Sequence, residues 1–436
     1  MFLKRVFLLL ILFLTINYNQ GAFEQPGSIS DKLVPSKVRL TNAAASLSYF
    51  EACDNTVESF LHKWNMAGAS IAIARDGRLI YARGYGYSDT IQKTITEPYN
   101  KFRIASISKL VTAVVIMKLY EEGKLGLDSK VFGPEGILND PYFDNPKDKR
   151  VYNITVAHLL CHEGGWSQRY GDHMFMPLVV ASQMGKEPPV DNRTIIRFAL
   201  DKRLHFSPGT GRSYSNLGYA ILGHVIEKVS GMTYEKYCRE TILEPLGIFD
   251  MEIGGNLPSQ KAPFEVTYYT PVSQPLKPSI YGTGEMLSPC YGGNDIEALG
   301  AAGSWIATAP DLMRLLLAID GFNTREDILT EESIRIMTDM DNGYAPVGWK
   351  STAANGTWCR TGSFPGTAAM LKRQPDGIAW VVLFNSSSWN GPAIHQYVNS
   401  MMTRIVSRIT EWPEDDLFQY SLPLPVKVPV SSAYVE

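Results

Sequence analysis

The sequence predicts an α+β fold, a mixed α/β architecture in which one antiparallel β-sheet is assembled from strands at both ends of the chain and flanked by helices, with a mostly helical lobe between. Three observations carry this. Apolar, β-rich runs at 69–74 and 79–86 flank Asp76-Gly77, a strong short-range hairpin signal. Three short strands, 356–360, 367–373 and 379–384, come near the other end, with Pro375-Asp376-Gly377 turning the second into the third. The long middle is helical in pattern. A sheet with a helix before its first strand and another after its last buries its faces most economically as one unit.

Taken in order, Lys4 and Arg5 precede an apolar run at 6–16 that is too short to span a bilayer comfortably. Residues 1–22 therefore read as a secretory signal, or as an uncleaved signal anchor. Residues 23–40, with scattered Pro, Gly and Ser, read as a linker. Helical spacing of Leu47, Phe50, Val57, Phe60, Leu61 and Trp64 predicts an amphipathic helix over 43–64. The run 105–122 is almost wholly apolar after its polar start and stops at Gly123, as a helix buried on most faces would. Helices are expected at 154–160, 194–204, 216–230 and 234–243, within a helical lobe spanning about 124–330. Residues 254–300 are rich in Pro, Gly, Ser and Tyr, and so long a loop in a compact domain is usually functional or mobile. Thr308 is a candidate N-cap for a helix at 308–319, and 392–409 reads as the last helix. These elements define one domain, 41–410. The tail 411–436 carries Pro413, Pro423, Pro425 and Pro429 and is expected to be extended and dispensable for chemistry.

Composition narrows the function classes. With 45% hydrophobic and 19% charged residues among 436, the chain is an ordinary globular one. A net charge of -3 leaves no basic footprint for nucleic acid or anionic lipid. Sequons at Asn153, Asn192, Asn355 and Asn385 support a secretory route and a glycoprotein. Five cysteines without a CxxC pair allow at most two bridges and leave one thiol over, so the core must carry the fold.

The chemistry-bearing residues form three clusters. Ser106 and Lys109 lie three apart at the start of the buried helix and share a face, whereas Ser108 points elsewhere. A serine hydroxyl needs a neighbour to take its proton, and a lysine can do so when burial or a nearby cation lowers its pKa. Tyr214-Ser215-Asn216 opens a helix; a tyrosine near cations can shuttle a proton, and an asparagine can hold both a lysine and a substrate carbonyl. Arg360-Thr361-Gly362-Ser363 closes a strand, where a glycine lets backbone approach a substrate and the Ser363 amide can join that of Ser106 as an oxyanion donor.

In order and spacing the three clusters resemble the Ser-x-x-Lys, Tyr-x-Asn and Lys/His-x-Gly motifs of the serine β-lactamase and penicillin-binding-protein superfamily, most closely its class C β-lactamase-like hydrolases and D-Ala-D-Ala carboxypeptidases. Flanking segments match as well: Gly84-Tyr85-Gly86-Tyr87, Phe102-Arg103-Ile104, the stretch 154–166, Glu244-Pro245-Leu246-Gly247, Ala301-Ala302-Gly303 and Pro365-Gly366. The resemblance covers roughly residues 45–405. It implies a β-lactamase/transpeptidase-like fold and a secreted serine hydrolase acting on an ester, amide or small peptide, without metal or cofactor. Ser106, Lys109, Tyr214, Asn216 and Ser363 would be catalytic, and Arg360, Thr361 and Gly362 would bind substrate. Arg360 stands where Lys or His is usual; it keeps the charge, abolishes proton exchange near neutral pH, and is expected to face the cleft and steer an anionic group. Cys161-His162 stands where Thr-His is common. His158 and His162, four apart, could instead hold zinc. The non-enzymatic alternative is a β-lactamase-like binding or structural protein.

Overall fold

The computed structural model describes residues 39–45, 51–344 and 346–419, which belong to one compact unit beginning at Val38. The signal at 1–22, nearly all of the 23–40 linker, Leu47 and Phe50 of the first predicted helix, and the tail beyond Gln419 lie outside the described residues.

A 3-10 turn at Asn42–Ala45 precedes α1 (Glu51–Trp64), β1 (Gly68–Arg75), β2 (Arg78–Asp89), β3 (Thr94–Ile95) and β4 (Phe102–Arg103). Then come α2 (Ser108–Glu121), α3 (Val156–Leu160), α4 (Pro177–Met184), α5 (Asn192–Leu200), α6 (Asn216–Ser230) and α7 (Tyr234–Cys238). Short pieces follow: β5 (Glu252–Ile253), β6 (Lys277–Pro278), β7 (Met286–Leu287), α8 (Ile296–Leu299) and β8 (Trp305–Ala307). The chain ends with α9 (Ala309–Leu317), α10 (Glu331–Thr338), β9 (Ser351–Thr352), β10 (Trp358–Phe364), β11 (Thr367–Arg373), β12 (Ile378–Phe384) and α11 (Ile394–Val406).

The main sheet runs β3-β2-β1-β12-β11-β10-β9, and its two halves meet where β1 pairs antiparallel with β12, Ala69 opposite Phe384. The sheet is thus built from both ends of the chain. In the β1–β2 turn Asp76 (φ 48°) and Gly77 (φ 77°) both take the left-handed backbone that a twist-matched hairpin requires. One sheet face, with Ile71, Ile73, Met370, Trp380 and Val382, packs with α1 and α11. The opposite face, with Ala72, Leu371, Val381 and Leu383, packs with α2, α9 and the helical region. Helix α2 is buried nearly throughout, as its unbroken apolar run demands. Gly231 (φ 70°) ends α6 and Thr308 caps α9, both where expected.

Several boundaries differ from the sequence reading. Ser106 lies in a 3-10 turn, Ala105–Ile107, ahead of α2. Strand β10 runs on through the third motif to Phe364 instead of ending at Arg360. The segment 254–300 contains β6, β7 and α8. The tail does not leave the fold at 411: Leu417 is buried, Asp416 accepts from the Leu79 amide (3.1 Å) and pairs with Arg325, and Phe418 lies under Arg314 (4.0 Å). The five cysteines are unpaired, and four of them are buried. Asn385 is fully buried and donates to the carbonyls of Tyr87 and Thr267 (both 3.0 Å), so a glycan there is incompatible with the fold. Asn153 and Asn355 are exposed.

Asp416→Ala leaves the Leu79 amide and Arg325 without their shared acceptor. Its expected cost is about 1–3 kcal/mol, read as a lower urea midpoint. Truncation after residue 411 should cost more, because it also removes Leu417 from the core.

Candidate active site

Ser106 is positioned by backbone. β4 pairs with β8, and the Ile104 amide donates to the Trp305 carbonyl (3.0 Å). Arg103 is buried; its guanidinium donates to the carbonyls of Cys290 (2.7 Å) and Gly255 (2.8 Å) and lies over the Tyr268 ring. Ala105 then takes φ 47°, a left-handed conformation unfavourable for a residue with a Cβ, directly before the serine. Ser106 emerges half-exposed, while Ser108 is fully buried and its Oγ accepts from the Trp305 amide (3.2 Å). The two serines therefore differ as expected: one faces the cleft and the other ties α2 to β8.

Lys109 is fully buried, and its Nζ donates to Asn216 Oδ1 (2.7 Å) and to the Ala302 carbonyl (2.6 Å). The rings of Tyr214 and Tyr219 lie 4.9 and 5.6 Å from it. Burial lowers its pKa, Arg360 adds to this, and Tyr214 and Asp172 oppose it. The Ala302 carbonyl is held by a neighbouring buried network in which Thr112 donates to the Ala301 carbonyl (2.7 Å) and meets Tyr234, which accepts from the Trp305 indole (2.9 Å).

The Tyr214 hydroxyl donates to Ser106 Oγ at 2.7 Å. Burial pushes the phenol pKa up, but the charges of Lys109 and Arg360 outweigh it and bring the pKa down to about 8. Tyr214 packs against His162, ring centroids 4.6 Å apart, and His162 Nδ1 accepts from the Ser215 amide (3.2 Å). Burial, then Lys109 and Arg360, hold His162 well below the usual imidazole pKa, so it is neutral. His158 Nδ1 accepts from the Thr155 amide (3.2 Å) in a capping box. The two histidines thus serve separate backbone amides, and no group of metal-binding side chains occurs among the described residues.

Along β10, Trp358, Arg360, Gly362 and Phe364 are buried on one face, and Cys359, Thr361 and Ser363 are half-exposed on the other. Arg360 departs from the expectation that it lines the open cleft. It is 3% exposed, and its Nε donates to the Ser106 carbonyl (2.8 Å) from the buried side of the strand. At Gly362 a Cβ would meet the Ile104 carbonyl oxygen at 2.1 Å, so only glycine lets β10 lie against the Ser106 turn. His395 of α11 bridges the carbonyls of Gly362 (3.2 Å) and Pro392 (2.9 Å). A cavity of about 460 Å³ adjoins the strand end, lined in part by Ser363, Phe364, Pro365, Trp389 and Pro392 and by no charged side chain.

The structure therefore brings Ser106, Lys109, Tyr214, Asn216 and Arg360 into one connected cluster, with Gly362 packed on the turn that carries Ser106. A family model described as Beta-lactamase matches residues 53–399, about four fifths of the chain. The chain belongs to the Beta-lactamase family. Its fold is that of the serine β-lactamase and penicillin-binding-protein superfamily. A penicillin-binding protein homologue from Pyrococcus abyssi, described as octameric, superposes with a TM-score of 0.60 at 25% identity, over 81% of this chain and 77% of that one. D-amino acid amidase from Ochrobactrum anthropi SV3, solved with D-phenylalanine, gives a TM-score of 0.63 at 21% identity, over 83% of this chain and 99% of that one. Protein flp of Staphylococcus aureus (strain N315) is 31% identical over 213 residues, 48% of this chain. The matched region spans 38% of the length of that curated relative. No helix among the described residues is long and apolar enough to cross a membrane.

Three contributors escape the motif reading. Asp172 accepts from Asn216 Nδ2 (2.6 Å), Ala302 supplies a carbonyl, and His395 ties α11 to the third motif. Only Ala302 had a signal, inside Ala301-Ala302-Gly303.

The electrostatics set a pH dependence. Covalent labelling of Ser106 by an uncharged acylating or phosphonylating probe should rise with pH around about 8 as Tyr214 ionises. Arg360→Gln removes a positive charge, disfavours the phenolate, and should move that rise to higher pH. Gly362→Ala should lower the labelling rate by about a hundred-fold through displacement of β10.

Proposed function

We propose that this protein is a secreted serine hydrolase that cleaves an ester, amide or small peptide through an acyl-enzyme on Ser106. The observation that carries the reading is the 2.7 Å hydrogen bond from Tyr214 to Ser106 Oγ, on a tyrosine whose pKa two buried cations bring to about 8. In the ionised form of Tyr214, Ser106 Oγ attacks the carbonyl carbon and its proton passes to the Tyr214 phenolate, which the Lys109 ammonium stabilises. The amides of Ser106 and Ser363 hold the oxyanion, a role supported by the close packing of β10 on the 104–105 backbone. Collapse returns the proton to the leaving alcohol or amine. Water, deprotonated by the same pair, then releases the acid and restores Ser106.

Arg360 in this reading stiffens the serine turn and supplies positive potential from behind it, while Thr361 and Ser363 line the substrate edge of β10. The uncharged cavity beside Ser363 favours an uncharged group on the substrate, and the buried guanidinium removes the main support for selecting anionic ones. Secretion rests on the Lys4-Arg5 and 6–16 pattern, and of the four sequons Asn153 and Asn355 are exposed.

Reaction with a fluorophosphonate probe, followed by mapping of the adduct, tests the activity. Wild type should label at Ser106 and Ser106→Ala should not. Ser108→Ala should label at Ser106 while losing about 1–3 kcal/mol of stability, because the Trp305 amide loses its acceptor. Absence of any adduct on folded wild type would refute the enzymatic reading and leave a binding protein.

A further inference from the structure

We propose that Asp172 is a positioning residue that fixes the amide of Asn216 and thereby orients the Lys109 amine toward Tyr214 and Ser106. The inference rests on the serine-hydrolase reading of this site and adds to it a residue that no motif contains.

Asp172 stands at the head of a 3-10 turn, His173–Phe175, in the loop ahead of α4. Its Oδ1 accepts from the Met174 amide (3.0 Å), and Met174 is buried. The His173 ring packs edge-on against Phe198 of α5. With the turn anchored on both sides, Oδ2 meets Asn216 Nδ2 at 2.6 Å. An ionised carboxylate only accepts. The amide of Asn216 must therefore present its NH2 to Asp172 and its oxygen to Lys109. Reversed, the amide would set its own donors against a lysine that also donates. With Asn216 Oδ1 and the Ala302 carbonyl occupying two directions around Nζ, the third is left for Tyr214 and Ser106.

Asp172 also brings a negative charge to bear on Lys109. The groups facing Lys109 are Tyr214 and Tyr219 from the α6 region, Arg360 from β10, His162 ahead of Tyr214, and Asp172. Among them Tyr214 and then Asp172 oppose the effects of burial and of Arg360 on the ammonium. Beside Asp172 itself stands His173, held below the usual imidazole pKa first by burial.

Two substitutions separate orientation from charge. Asp172→Asn removes the charge and leaves one acceptor oxygen, which keeps Asn216 Nδ2 by giving up the Met174 amide. Asp172→Ala removes both. The readouts are the fluorophosphonate labelling rate against pH, and the titration of the Lys109 ¹³Cε resonance, assigned with Lys109→Arg. For Asp172→Asn the plateau rate should stay within about three-fold of wild type. Loss of the carboxylate should move the Lys109 titration to lower pH. For Asp172→Ala the plateau rate should fall at least about ten-fold. A turn needed only for folding would lower both variants' stability without moving either titration. Wild-type plateau rates for Asp172→Ala would overturn the proposal, and so would an unmoved Lys109 titration in Asp172→Asn. If wild type itself forms no adduct, the hydrolase reading fails, and the Lys109 titration still decides the role of Asp172.

Discussion

The structure depends on a cation buried without a directly bonded carboxylate. Removing an ammonium from water costs several kcal/mol even after relaxation, and the cost must be met by groups brought to it. Here they are a side-chain amide, a main-chain carbonyl and two aromatic faces. The amide and both rings come from the start of α6, and the carbonyl from the 300–305 segment that returns to the sheet. Asn216 and Tyr219 require α6 to run alongside α2. Ala302 requires the 300–305 segment to pass beneath them, where Thr112 and Tyr234 hold it. Solvating one side chain thus fixes the packing of the helical region onto the sheet.

That arrangement explains the chemistry better than the motif letters do. A lysine paired with a carboxylate at hydrogen-bond distance would keep its proton at neutral pH. One solvated by neutral acceptors, with an arginine nearby, has its pKa lowered, while in its charged form it favours the phenolate of Tyr214. Arginine in the third motif fits this division. It cannot exchange a proton, so it serves as a fixed charge, and its hydrogen bond to the Ser106 carbonyl makes it part of the turn. The expectation that it would reach into the cleft took its place in sequence for its direction in space; alternation along β10 turns it inward.

What was legible in the sequence was local. The Asp76-Gly77 hairpin, the Gly231 stop and the Thr308 cap each follow from the backbone preference of one or two residues. The Ser106/Lys109 face follows from helical spacing, although its first turn is 3-10. Contacts made across long separations left no such mark. Asp172 reaches Asn216 over 44 residues, and His395 reaches Gly362 over 33. Each looks like any loop aspartate or helix histidine. The tail misled in the same way: its prolines forbid a helix but say nothing of Asp416 and Leu417, which find the start of β2 and the core. The sequon at Asn385 reads as a surface site until β12 carries it inside the fold.

The division of labour within the site follows from which contacts are main-chain. The serine turn is held by the β4–β8 pair, by the Ile104 amide, and by a glycine strand pressed against it; these contacts depend little on side-chain identity except where Gly362 excludes every other residue. The proton machinery sits one layer deeper, on buried side chains whose rotamers the packing fixes. In the proposed reading, discrimination comes from the uncharged rim of the cavity beside Ser363, where Trp389 presents an aromatic face. A rim of that kind selects by shape and apolar area, which the reaction centre does not measure.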